Sequence, residues 1–306
     1  ITDQQWAKVP TEFLTTTEQL YTHVRADGSV IVNTTSTFQE GDKEGSAPAA
    51  AEVKDINLNN SDAISIGTNA SAEGESGIAI GKDASTHVDP TYSDANGSQG
   101  DVHGRGIAIG DKATARGEYA IALGSSDEYV ATEYTEAKGF KSIAIGVNAK
   151  TGNNSDYAMA IGAGANAKNT GAIAIGNTAK SIDTDNVAVG TRSVAQGNGA
   201  ISMGRDSQAI AAGSIAIGVT AATKDGQNDS IAIGTKAKAN GFKSIALGNN
   251  AEATGFAGVS INENADASGR YAVAFGYEKT DTTTNQMHNV ASGPNSFAHG
   301  EHAQAK

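Results

Sequence analysis

The chain is 306 residues long, carries a net charge of −12 and has no cysteine. Disulfide staples, thiol nucleophiles and cysteine metal sites are therefore excluded, and the charge makes nucleic acid or an anionic membrane surface an unfavourable partner. Aromatic residues make up only 5% while glycine reaches 37 residues, so a core of large side chains is also excluded and any core must be narrow.

In chain order, residues 1–60 read as a non-repeating N-terminal β cap. Tyr21–Arg25 and Ser29–Asn33, joined through Ala26-Asp27-Gly28, read as a β-hairpin. Trp6, Phe13, Leu14 and Leu20 are expected to pack with it over the open end of the repeat array, and residues 39–51 read as a linker. A distal ligand-binding tip is the other reading of this segment. The chain starts at Ile1 without a signal peptide and has no apolar run near the ~18 residues that a membrane helix needs, so any anchor is expected outside it.

From residue 61 to 306 one phrase returns: Ala63-Ile-Ser-Ile-Gly67, Gly77-Ile-Ala-Ile-Gly81, Gly106-Ile-Ala-Ile-Gly110, and so on to Gly300. Its closing residues (Asn262 once replaces Gly) are 14 apart, or 14 plus an insertion. Small residues come at a fixed offset after each, as at Ala165 and Ala167 or Ala237 and Ala239, often with a second Gly such as Gly197 or Gly241. Each unit thus reads as strand, glycine corner, second strand, glycine corner, with strands of four or five residues. Fourteen residues are too few for a strand–helix–strand crossover, which alone takes about a dozen residues. The fold class predicted is all-β, a solenoid of parallel ladders about 4.8 Å apart.

Alternation along the first strand separates two faces. One carries Ile78 and Ile80, Ile107 and Ile109, Val187 and Val189, Ile215 and Ile217, and reads as an aliphatic ladder. The position between them is always Ala or Ser, including Ala79, Ala108, Ala174, Ala216 and Ala232. Such restriction implies that another backbone approaches there. The expectation is that these tiny residues lie at the axis of a cyclic self-assembly, with this strand innermost.

Insertions in a repeat array map to rim loops, expected near 87–101, 127–134 and 277–288. The first contains His87, Asp89 and Asp101, with His103 just beyond, weak candidates for a divalent metal without a tight ligand spacing. The second ends in Tyr129, Glu133 and Tyr134, an exposed aromatic–carboxylate group suited to binding a protein or a glycan. No nucleophile elbow or phosphate-loop lysine motif is present, so neither an enzyme nor a cofactor is expected.

The grammar of Gly234 to Gly248, glycine corner, paired small residues, second glycine and Ser-Ile-Ala-Leu-Gly, resembles the YadA-like head of trimeric autotransporter adhesins over residues 61–306. The resemblance implies a left-handed parallel β-roll, a homotrimer and display at a Gram-negative cell surface. It also implies an outer-membrane anchor through an absent C-terminal region, and a role in virulence. The expected function is non-catalytic, multivalent attachment to host extracellular-matrix proteins, cell-surface receptors or glycans, or bacterial autoaggregation. A trimeric phage or secreted fibre and a polysaccharide-acting β-helix enzyme are the alternatives. The enzyme is disfavoured by the short coils.

Overall fold

A computed structural model of the chain describes residues 63–72, 76–86, 105–126, 134–153, 155–276, 289–299 and 303–306, together with the backbone of four N-terminal strands. It contains two compact units, residues 1–135 and 136–306. Among the described residues there is no helix.

In the first unit, strands β1 (Trp6–Lys8), β2 (Tyr21–Val24), β3 (Val30–Asn33) and β4 (Lys54–Leu58) form an antiparallel meander. The expected hairpin is β2 with β3, paired from Tyr21 opposite Asn33 to Val24 opposite Val30. Strand β4 then pairs antiparallel with Ile64–Ile66, the first strand of the coil. Beyond that strand every pairing is parallel: Ile64 lies beside Ile78, Ile78 beside Ile107, and Ile107 beside Ile121.

The second unit repeats one coil throughout. Its first ladder runs from Ile143–Ile145 to Phe297–His299 and its second from Glu136–Ala137 to Gln304–Ala305, all parallel and in register. The strands are shorter than expected, three residues in the first ladder and two in the second. The corners take the rest of the period. After Ile173–Ile175 comes a four-residue turn, Gly176 to Ala179, closed by the Ala179 N–H donating to the Gly176 carbonyl at 3.3 Å. After Val194–Ala195 the corner Gly197 to Ala200 closes in the same way at 2.9 Å.

The two corners use glycine for different reasons. Gly176 has φ +132, and a Cβ there would lie 2.6 Å from the carbonyl oxygen of Gly190 in the next coil. Gly241 has no positive φ, but a Cβ on it would lie 2.1 Å from the Gly255 oxygen. One corner needs both a rare backbone conformation and close stacking, the other only the stacking.

The tiny residues face inward. Ala79, Ala108, Ala174, Ala216 and Ala232 have no exposed surface within the single chain. The core is built of such residues; one cluster consists of Ala188, Ala195, Ala200, Ala209, Ala216 and Ala221. This corrects the placement of these alanines at an axis between chains. The backbone that approaches them belongs to the second ladder of the same coil. With two corners of four or five residues, the two ladders have no room between them for anything larger than a methyl or a hydroxyl.

Much of the interior polarity is satisfied locally, although the buried Ser230 hydroxyl has no hydrogen-bond partner. Ser207 donates to the Gly204 carbonyl at 2.9 Å and meets Ser202 at 2.7 Å. Ser214 donates to Ala211 at 2.6 Å and accepts from Thr223 at 3.0 Å. A buried hydroxyl without such a partner costs about 1–3 kcal/mol, so these short bonds let Ser202 and Ser214 stand where other coils carry alanine.

Candidate binding faces

Inward-facing alanine forces the flanking residues outward. The ladder of Ile173 and Ile175, Val187 and Val189, Ile215 and Ile217 therefore lines the outside of the coil and is only half-buried. Ile109 and Ile233 stay 39% exposed and Met203 41%. Within the second unit this face is apolar on every rung from Ile143 to Phe297 and gains a polar group only at His299. At that end Phe275, Phe297 and His299 cluster with ring centroids 5.9–6.3 Å apart, Phe297 stacked on His299 and Phe275 tilted against both. A continuous exposed apolar surface on a folded protein marks an interaction site.

The outer face of the second ladder has the opposite character. Its outward positions run Lys150, Asn166, Lys180, Val194, Gln208, Ala222, Lys238, Glu252 and Asp266, the drift expected of residues in water. Ion pairs here are loose or local: Lys238 reaches Glu252 on the next rung at 3.8 Å, and Lys138 holds Glu136 at 3.0 Å. A tighter pair lies at the first corner, where Arg192 grips Asp206 with two bonds of 2.6 and 2.8 Å. The hydrogen bond from Arg192 holds the Asp206 carboxyl below its usual range, and Asp206 in return raises the guanidinium.

In sequence, the expected insertions fall between described residues of the coil. Residues 127–134 enter between Ser126 and Thr135, and Thr135 takes the buried place that alanine holds in other coils. Its hydroxyl donates to the Ser125 carbonyl at 3.3 Å. In sequence, residues 277–288 fall between Gly276 and Asn289, and 87–104 between Thr86 and Arg105. Tyr134 is half-buried at the loop's end. Tyr129, Glu133, His87, Asp89, Asp101 and His103 lie outside the described residues, as do the bodies of all three expected loops. Among the described residues no group of three His, Asp or Glu side chains could hold a metal, and no helix is long and apolar enough to cross a membrane.

Sequence reasoning identified the ladder but assigned it to the wrong side of the strand. The missed signal was available: exposed alanine on a two-sided strand is no better explained than exposed isoleucine, and only the width of the coil separates them. A row of aromatic and cationic side chains at the second corner, directly after Gly241, Gly255 and Gly269, also escapes the repeat pattern, because only a few coils carry such residues there.

No curated protein matches the chain. The family model of the YadA head domain repeat (2 copies) matches residues 59–84, 105–126, 137–155, 154–179, 187–207, 195–221, 227–251 and 239–255. These segments cover slightly more than half of the chain and begin and end within the same strand-and-corner units that the structure displays. With its all-β parallel solenoid, inward alanine column and glycine corners, the chain belongs to the YadA head family, a non-enzymatic family of adhesin-like proteins.

Proposed function

We infer that this chain is the head of a homotrimeric cell-surface adhesin, held at the outer membrane by a segment beyond it and binding host matrix, host cells or sister bacteria without turnover. The observation that carries the reading is the half-exposed Ile/Val ladder. Fully burying one such side chain contributes about 1.5–3 kcal/mol, and the ladder offers two per rung through the second unit. A second and third copy of the same chain, running parallel, would present the identical spacing and meet it rung for rung. The ladder, rather than the alanine column, then faces the shared axis.

Three copies would also triple every weak contact on the outer surface, which supports attachment through avidity. The N-terminal meander, hydrogen-bonded to the first coil strand through β4, is suited to covering the open edge of that ladder. Sedimentation equilibrium of the purified chain tests the assembly, and solid-phase binding to matrix proteins and cultured cells tests the function. A trimer that binds through its surface supports the reading. A stable monomer with a wetted ladder, or hydrolysis of a glycan substrate, would overturn it.

A further inference from the structure

Three consecutive second corners of the second unit break the polar pattern of their neighbours. They read Gly241-Phe242-Lys243, Gly255-Phe256-Ala257 and Gly269-Arg270-Tyr271, where preceding coils carry Thr184-Asp185, Asn198-Gly199 and Asn228-Asp229. Phe242 stacks on Phe256 at 5.5 Å with 16° between the rings, and Phe256 meets Tyr271 edge to face at 5.5 Å. Arg270 lies over both Phe256 and Tyr271, at 5.2 and 5.0 Å, and Lys243 lies 5.4 Å from the Phe242 ring. Phe256 is 40% and Tyr271 47% exposed.

Aromatic side chains in a thin coil have no interior to fill, and here they stand outside it. The corner glycines beneath them cannot hold a side chain, since a Cβ on Gly241, Gly255 or Gly269 would lie about 2 Å from the oxygen of the next rung. Beside the rings, Asn240, Thr254 and Ser268 each stand two residues before a ribbon residue, with Thr254 and Ser268 exposed.

We propose that this ribbon is a binding site for a carboxylate-bearing polysaccharide, in which Phe242, Phe256 and Tyr271 pack against sugar rings while Lys243 and Arg270 hold the carboxylates. The proposal rests on the adhesin reading and gives that head a ligand class. The exposed parts of the rings accept the C–H faces of pyranose rings, and the cations packed on them supply N–H donors for an anionic substituent beside the ring. The hydroxyl and amide groups of Asn240, Thr254 and Ser268 suit sugar hydroxyls. Charge also favours an acidic chain over a neutral one: on a molecule of net charge −12 the corner concentrates two cations, and Asp229 one rung below Lys243 bounds it on one side. Two cations over three rungs match sparse carboxylates better than dense sulfate. The same grammar recurs once in this unit, where Phe140 meets Tyr157 edge to face at 5.8 Å with Lys141 at 4.7 Å from the Phe140 ring.

The test uses the whole 306-residue chain and hyaluronan oligosaccharides in titration calorimetry, with dextran and polyphosphate as neutral and purely anionic probes. Hyaluronan binding that falls at least tenfold in Phe256→Ala and in Tyr271→Ala, and similarly in Arg270→Ala, is the expected result. Phe256→Leu keeps the apolar cover of the coil, and circular dichroism of each variant separates lost binding from lost fold. Lys180→Ala, on the second ladder's outer face, should change nothing. Equal binding of dextran, polyphosphate binding insensitive to the aromatic variants, or no hyaluronan binding overturns the proposal. So does shielding of Tyr271 from a soluble quencher in the assembled chain. If cell attachment persists while hyaluronan fails, the glycan assignment falls and the adhesin reading stands.

Discussion

The side-chain oxygen of Asn186 accepts the backbone N–H of Ala200, one coil later, at 2.9 Å. Its amide donates to the Ala195 carbonyl at 3.1 Å, and the whole side chain is buried in a column otherwise filled by Ala, Ser or Gly. Both backbone groups have a second partner, the Ala200 N–H donating to the Gly197 carbonyl and the Ala195 carbonyl accepting from the Ile182 N–H, each at 2.9 Å, so the asparagine adds a further bond to groups already paired.

Replacing Asn186 by Leu should remove both side-chain bonds and crowd the coil. The expected cost is about 3 kcal/mol, from two lost hydrogen bonds and overpacking. Because each coil is supported mainly by its neighbours, the loss should be local. Hydrogen exchange should accelerate first at Ala200 and at Ile173, whose N–H donates to the Asn186 carbonyl at 2.8 Å, before coils further along respond.

The two faces of one strand should answer mutation differently. Ala174→Leu drives three extra carbons into a space closed by the second ladder and should melt the surrounding coils, at about 3 kcal/mol or more. Ile173→Lys, one residue away but outward, should preserve the circular dichroism and thermal transition of the isolated chain while abolishing self-association. Sedimentation velocity and thermal melts on the two variants separate these outcomes; the reverse pattern would restore the alanine column to the axis.

Glycines of similar appearance should differ in tolerance. Gly204→Ala places a Cβ 2.4 Å from the Gly218 oxygen at φ +137, and should cost about 2 kcal/mol or more. Gly199 has φ +66 and open space around it, so Gly199→Asn should stay within about 0.5 kcal/mol of the parent. Urea melts monitored by circular dichroism check both.

The Arg192–Asp206 pair gives a directed pH effect. Its folded carboxyl is depressed, so the contribution is complete above the unfolded value of about 3.9 and fades as pH falls through the lower folded value. The raised guanidinium titrates only at strongly alkaline pH. The melting difference between the parent and Asp206→Asn should therefore be flat from pH 5 to 8, narrow below pH 4, and shrink with added salt, since the pair is solvent-exposed.

Much of this protein was legible without coordinates. The 14-residue period, the glycine corners and the uniform Ala/Ser column specify stacked parallel coils, because only a tight two-strand turn fits that length and only glycine tolerates corner upon corner. The hairpin of β2 with β3 was also readable, from its alternation around Ala26-Asp27-Gly28. What alternation leaves open is orientation: it divides Ile173 and Ile175 from Ala174 but does not say which side is inside. That was decided by the separation of the two ladders, a quantity set by both corners together, which admits methyls and hydroxyls and expels isoleucine. The aromatic ribbon of Phe242, Phe256 and Tyr271 likewise needed the tertiary structure, since residues 14 and 15 positions apart become neighbours only when one coil is stacked on the next.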